Sequence, residues 1–205
     1  MRTITVEYNI YEYDELSDKA KDKVKETLLN LREPEMFREI VLNDLDYLLP
    51  NSSLDVQFSL SYCQGDGLNI YGEVDVEDIL FCIDNNMADG LLKKYEGYLN
   101  EDMTNDILRY ANDCGKIILP ENNRYCYCIA DRCSVVSDWE TELEYNEEEN
   151  INYNALFKLE KLVQGIFEDL CWYYEKIGYE HFYEISDEEC RDYDFEYYED
   201  GSIYN

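Results

Sequence analysis

Forty-eight Asp and Glu face only 17 Lys and Arg along 205 residues, and any compact state must hold together a formal net charge of −31. Self-repulsion of this size destabilises a fold unless the charge is screened, tolerated or used. Disorder also produces acidic compositions, but acidic disordered segments are poor in aromatics. Here 45% of the residues are hydrophobic and 15% aromatic, including 21 Tyr, which is enough apolar matter for a core. Eight Cys and so many large rings also sit poorly with salt adaptation. A dense field of carboxylates repels nucleic acid and membrane headgroups and attracts the basic surfaces of proteins that bind nucleic acid. The charge therefore points to a protein partner, with no direct binding to nucleic acid and no membrane.

Length favours one domain over residues 1–205. No run approaches the roughly 18 apolar residues of a membrane span, and Met1-Arg2-Thr3-Ile4 opens a strand pattern instead of a signal peptide. The expected location is cytoplasmic, in a host cell. Cys63, Cys82, Cys114, Cys126, Cys128, Cys133, Cys171 and Cys190 then read as reduced thiols, mostly small core residues.

Residues 3–13 alternate, with Ile4, Val6, Tyr8 and Ile10 on one side, which predicts a half-buried strand. Ser17 offers an N-cap to a helix whose Ala20, Val24, Leu28 and Leu31 share a face. Pro34 starts a second helix that ends at Pro50-Asn51-Ser52. Leu54, Val56, Phe58, Leu60 and Tyr62 alternate with polar residues, and Gly65-Asp66-Gly67 supplies the turn of a hairpin continued by Leu68, Ile70 and Val74. Segments 76–83, 88–99 and 104–114 read as helical, the last stopped by Gly115. Residues 116–119, 124–130 and 133–145 read as strands. A long helix is predicted from Tyr153 to Ile177 with Gly178 as its stop, then a strand at 179–185 and a closing hairpin through Glu199-Asp200-Gly201. The pattern predicts α+β: a mixed, largely antiparallel sheet packed with amphipathic helices in a single compact domain.

The charge is uneven. Seven of the cations lie in the first 38 positions, whereas the strongly acidic C-terminal third, 137–205, holds four Lys and Arg against 21 Asp and Glu. Glu140, Glu142 and Glu144 alternate with Thr141 and Leu143, so a strand would project them in a row about 6.5 to 7 Å apart. Asp192, Asp194 and Glu196 repeat the pattern, with Tyr193, Phe195 and Tyr197 turned inward. Glu147-Glu148-Glu149 and Asp187-Glu188-Glu189 add two denser clusters. Rows of carboxylates at this spacing resemble a phosphate backbone in pitch and sign, and these twelve residues are the candidate partner-binding set. The plainer reading is the solvated outer face of an amphipathic sheet, which leaves the shortage of Lys and Arg unexplained.

Catalytic signals are weak. The one histidine, His181, lies between Glu180 and Phe182 with no nucleophile motif beside it, and it reads as a packing residue. There is no phosphate-binding loop or dinucleotide fingerprint. Cys126-x-Cys128 with Cys133 nearby offers thiolates to zinc but lacks a second C-x-x-C pair. Asp84-Asn85-Asn86 departs from a calcium loop at Ala88 and Asp89. No cofactor, no metal and no enzyme is expected.

Tyr11-Glu12-Tyr13-Asp14-Glu15-Leu16-Ser17-Asp18-Lys19-Ala20-Lys21, the hairpin Ser59-Leu60-Ser61-Tyr62-Cys63-Gln64-Gly65-Asp66-Gly67 and the tail Glu199-Asp200-Gly201-Ser202-Ile203-Tyr204 resemble a group of small acidic proteins of phages and mobile elements. The resemblance implies a phage setting, in which small acidic proteins occupy the nucleic-acid-binding surface of host restriction systems and CRISPR effectors. It leaves residues 77–152 unmatched. The expectation is an anti-defence inhibitor that acts by nucleic-acid mimicry, with Trp139, Tyr145, Tyr197 and Tyr198 as candidate aromatic anchors. The alternative is a self-associating structural or regulatory phage module, a homodimer through its Tyr-rich strands.

Overall fold

The computed structural model describes every residue except 3–6, 64, 85–87, 122–138, 146–149 and 205. In chain order it has a 3-10 turn (Tyr13–Glu15), helices α1 (Asp18–Asn30) and α2 (Pro34–Leu48), and strands β1 (Ser53–Ser59) and β2 (Gly67–Val74). Helix α3 (Val76–Asp84), a 3-10 helix (Ala88–Tyr95), α4 (Glu101–Cys114) and strand β3 (Ile117–Leu119) follow. The remaining helices are α5 (Trp139–Tyr145), α6 (Tyr153–Tyr183) and α7 (Asp187–Asp192). The class is α+β, with an antiparallel sheet in the order β1-β2-β3. Chain contacts divide it into two compact units, Met1–Phe37 with Ile177–Asn205, and Arg38–Lys176.

In the first unit, the Ser17 hydroxyl accepts the Ala20 N–H and starts α1, and Asp18 complements the helix dipole. Ala20, Val24 and Leu28, spaced by four, bury one face of α1 against Tyr13, Leu16, Cys190 and Tyr197. Ser186 and Glu189 form a reciprocal capping box that starts α7. Tyr197 pairs antiparallel with Tyr11 on one side and Ile203 on the other. The turn at Gly201 (φ +82°) sits so close to α1 that a Cβ there would lie 2.4 Å from the Ala20 carbonyl oxygen. Only glycine fits.

In the second unit, β1 and β2 pair Val56 with Ile70 and Phe58 with Leu68. Gly72 (φ +127°) faces Leu54, where a Cβ would meet the Ser53 oxygen at 2.2 Å. At the hairpin tip the Asp66 carboxylate accepts the N–H groups of Ser61 (2.6 Å) and Cys63 (2.9 Å), an Asx-type closure. The buried Asp78 carboxylate accepts from the Asn51 N–H, the Asn51 amide and the Ser52 hydroxyl, all at 2.8 Å, and so ties α3 to the segment before β1. Within this unit α6 buries Ala155, Leu159, Leu162, Val163, Ile166, Phe167, Leu170 and Tyr174, the stripe its apolar spacing predicts. Gly165 leaves room for the Tyr95 ring, whose hydroxyl donates to Asp169 at 2.8 Å.

Several expectations are corrected. Residues 139–145 are helical, because Trp139 and Leu143, four apart, are the buried pair, so the alternation of the acids is incidental to a helical period. Residues 179–183 continue α6 beyond Gly178, and Arg32 donates to the carbonyls of His181 and Glu184 at its end. A cation at a helix C-terminus offsets the weak propensity of the glycine. Of the strand predicted at 3–13, residues 7–12 contribute only the bridge at Tyr11, and 3–6 lie outside the described residues. The 88–99 segment forms a 3-10 helix over Ala88–Tyr95. The strand predicted at 124–130 also lies outside the described residues.

Candidate functional site

Among the described residues, four of the seven cations of the first unit are ion-paired within it. Lys25 pairs with Asp187 at 2.6 Å, Lys23 with Asp200 at 2.7 Å, and Arg32 with Glu189 at 2.9 Å. Arg191 straddles Asp14, its Nε donating to both carboxylate oxygens at 3.0 Å. The Tyr13 hydroxyl donates to Asp187 at 2.9 Å, and Lys21 and Arg191 lie 5.4 and 6.0 Å from the Tyr13 ring centre. These partners set the titration of the acids. Lys25, then the Tyr13 hydroxyl, holds Asp187 below the usual carboxylate range. Arg191 does the same for Asp14, and Lys23 with Ser202 for Asp200. For Glu189 the Ser186 N–H is the leading cause, with the Ser186 hydroxyl and Arg32 adding to it. Burial, followed by Asp187, raises Tyr13 far above an ordinary phenol.

Seven Lys and Arg in this unit cannot neutralise nineteen Asp and Glu, and a net of −12 remains on it. Glu188, Asp192, Asp194, Glu196 and Glu199 are exposed and make no side-chain hydrogen bond or ion pair among the described residues. The expected binding set therefore splits. Asp187 and Glu189 hold the fold, while Glu188, Asp192, Asp194 and Glu196 stay free at the surface.

The two predicted rows do not form. Asp192 ends α7, and Asp194 adopts a left-handed φ of +50°, so only Glu196 joins an extended ladder. In the second unit, residues on α5 turn by about 100° each, which sets Glu142 on the side opposite Glu140 and Glu144. Glu144 accepts from the Tyr153 hydroxyl at 3.0 Å. Burial and the Glu142 carboxylate push the Cys114 thiol up to about 11. Glu147, Glu148 and Glu149 lie outside the described residues. Among the candidate anchors, Trp139 and Tyr197 are core residues, Tyr198 is half-buried, and Tyr145 is 87% exposed.

Other chemistry is sparse. His181 packs tilted against Phe37 and edge-on to Phe182, at ring distances of 5.6 and 4.9 Å, and its Nε2 is buried without a partner among the described residues. Burial and the Arg32 charge keep it below the usual imidazole range, hence neutral. Arg32 and His181 line a groove of about 670 Å³ with Glu180, Glu184 and Tyr193. Arg32 is already committed there to two carbonyls and Glu189, so it offers an incoming anion little. Burial pushes the Cys82 thiol up to about 12, which suits packing and not reactivity. Cys63, Cys82, Cys114, Cys171 and Cys190 are not in disulfides, and Cys126, Cys128 and Cys133 lie outside the described residues. Among the described residues no three His, Cys, Asp or Glu converge as metal ligands. No described helix is long and apolar enough to cross a membrane.

Sequence reading missed two features. One is the pairing of the N-terminal cations with the C-terminal acids, for which the Lys cluster at 19–25 is the available signal. The other is a surface cluster of Tyr8, Tyr198 and Tyr204, whose rings meet at 5.5 and 5.6 Å. Compared with known proteins, the chain matches no family model, and no curated protein or solved structure is similar to it.

Proposed function

We infer that this chain is a non-enzymatic anti-defence protein of phage type, which binds a basic, nucleic-acid-binding surface of a host restriction nuclease or CRISPR effector and blocks substrate entry. The observation that carries the reading is the surplus of exposed carboxylates in the first unit after its ion pairs have formed, with Glu188, Asp192, Asp194 and Glu196 unpaired among the described residues. Free carboxylates accept charge-assisted hydrogen bonds from Arg and Lys as phosphates do, and a uniform field steers a basic partner onto them. The resemblance of the opening, the hairpin and the tail to small phage proteins supports the setting, in which the protein acts in the host cytoplasm. The mimicry would rest on free carboxylates carried by α7 and the segment after it, and not on a strand-borne row.

Plasmid survival in cells carrying an active restriction or CRISPR system tests this. Expression of the chain is expected to raise survival, and the Glu188→Gln, Asp192→Asn, Asp194→Asn, Glu196→Gln variant is expected to lose most of that protection while staying folded. Equal protection by the variant would remove these carboxylates from the mechanism. Lack of protection, together with concentration-dependent self-association, would favour a structural phage module.

A further inference from the structure

The closing ladder of the first unit has two faces. Tyr11 and Tyr197 exchange N–H to carbonyl bonds of 2.9 Å, while the Tyr198 N–H donates to Ser202 and the Tyr204 N–H to Glu196, both at 2.8 Å. Tyr197 is fully buried, and Tyr11 and Ile203 pack on the same cluster. Alternation along extended backbone then turns Tyr8, Glu196, Tyr198 and Tyr204 to the opposite face. There the Tyr198 ring stands edge-on between the other two, at 70° to Tyr8 and 79° to Tyr204. Tyr8 is 62% exposed and Tyr204 40%. Glu196 lies in the same ladder and Glu199 one residue past Tyr198, both exposed and, among the described residues, without side-chain partners.

We propose, resting on the acidic-binding reading above, that Tyr8, Tyr198 and Tyr204 with Glu196 and Glu199 form a recognition site for an arginine side chain of the basic partner. Ring faces attract a cation through their quadrupole, and the carboxylates accept its N–H groups. The molecule already uses this pairing internally: Lys21 and Arg191 lie over the Tyr13 ring while Asp187 and Asp14 take ionic and hydrogen-bonded contacts beside it. Among the described residues no Lys or Arg of the chain lies over Tyr8, Tyr198 or Tyr204. Arginine is favoured over lysine because its planar, weakly hydrated guanidinium stacks on rings and spans two acceptors. A second copy is a poor occupant, since it would bring a unit of net −12 against an identical one. Nucleic acid is poorer still, because its phosphates would face Glu196 and Glu199.

Calorimetric titration of the full chain with octa-arginine and octa-lysine at low salt tests the site. The wild-type protein is expected to bind octa-arginine roughly fivefold more tightly than octa-lysine. Tyr8→Leu with Tyr204→Leu should erase that preference with unchanged far-ultraviolet circular dichroism, and Tyr8→Phe with Tyr204→Phe, which keeps the rings, should retain it. A preference that survives the Leu variant, or one absent from the wild type, would overturn the aromatic site while leaving general acidic binding in place. Failure of both peptides to bind would overturn both readings. Conversion of a wild-type dimer to a monomer by the Leu variant, seen by sedimentation, would assign the face to a second copy and overturn the proposal.

Discussion

Replacing Arg32 by Met should open the first unit by about two orders of magnitude. The Arg32 side chain is 7% exposed, the least of the four cations ion-paired among the described residues of that unit. Its guanidinium serves three acceptors, the carbonyls of His181 and Glu184 at the end of α6 and the Glu189 carboxylate. Methionine keeps the packing of the stem and removes only the head. Each carbonyl that loses its donor costs about 1 kcal/mol, and the lost cation at a helix C-terminus costs a further 0.3 to 1 kcal/mol, roughly. The Glu189 side chain is half-exposed and rehydrates, so the broken pair adds at most about 1 kcal/mol. The total is about 3 kcal/mol, roughly a hundredfold in the opening equilibrium. Cys190 is the only cysteine of the first unit and is buried, so pulsed alkylation read on the Cys190 peptide reports that opening. The labelling rate should rise roughly a hundredfold, with the urea midpoint shifted and its slope unchanged. Arg32→Lys should recover only part of this, since lysine lacks the planar fork. A rise of less than about threefold for Arg32→Met would refute the reasoning that this cation closes α6.

Three further outcomes follow from the same geometry. Gly201→Ala forces a Cβ to 2.4 Å from the Ala20 oxygen at a left-handed φ, and should cost about 2 kcal/mol or more by urea unfolding. Asp78→Ala removes the buried acceptor of three part-buried hydrogen bonds and should cost about 3 kcal/mol, whereas Asp78→Asn, which keeps one acceptor, should cost less. The pH profile should carry two signatures. His181 is held below its ordinary value, so its contribution is full above about pH 6.5 and is lost as pH falls through the folded value. Differential scanning calorimetry of wild type against His181→Phe between pH 7 and 5 should show the gap close in favour of the variant on acidification. Asp14, Asp187, Glu189 and Asp200 are likewise depressed, so their stabilisation is complete above about pH 4.5 and disappears below it in both proteins.

Local chemistry made much of the fold legible. Ser17 with apolar residues every fourth position gives α1, the alternation from Leu54 gives the β1-β2 hairpin, and Gly115, at φ +73°, ends α4. The α6 stripe was equally clear. Its end was not, because Gly178 reads as a stop and the cation that sustains the helix, Arg32, lies 149 residues away from its His181 partner. Trp139 to Tyr145 is degenerate: seven residues with acids at every second place satisfy a strand period, and only the burial of Trp139 and Leu143 selects the helix. The candidate site shares this limitation. Composition identified the acidic C-terminal third, but nothing local separates Glu188 from Glu189. The second of these is bound to Arg32 across 157 residues, and the first remains free.

We propose that free carboxylates of this chain occupy a nucleic-acid-binding surface of a host enzyme. Affinity capture of the tagged full chain from lysate of a defence-competent host, at low and high salt and with added DNA or RNA, tests it most directly. The expected result is recovery of a nuclease, restriction subunit or CRISPR effector that is lost at high salt, displaced by nucleic acid, and absent with the Glu188→Gln, Asp192→Asn, Asp194→Asn, Glu196→Gln variant. Recovery of the chain alone under every condition, or of a partner indifferent to salt and to nucleic acid, would contradict it.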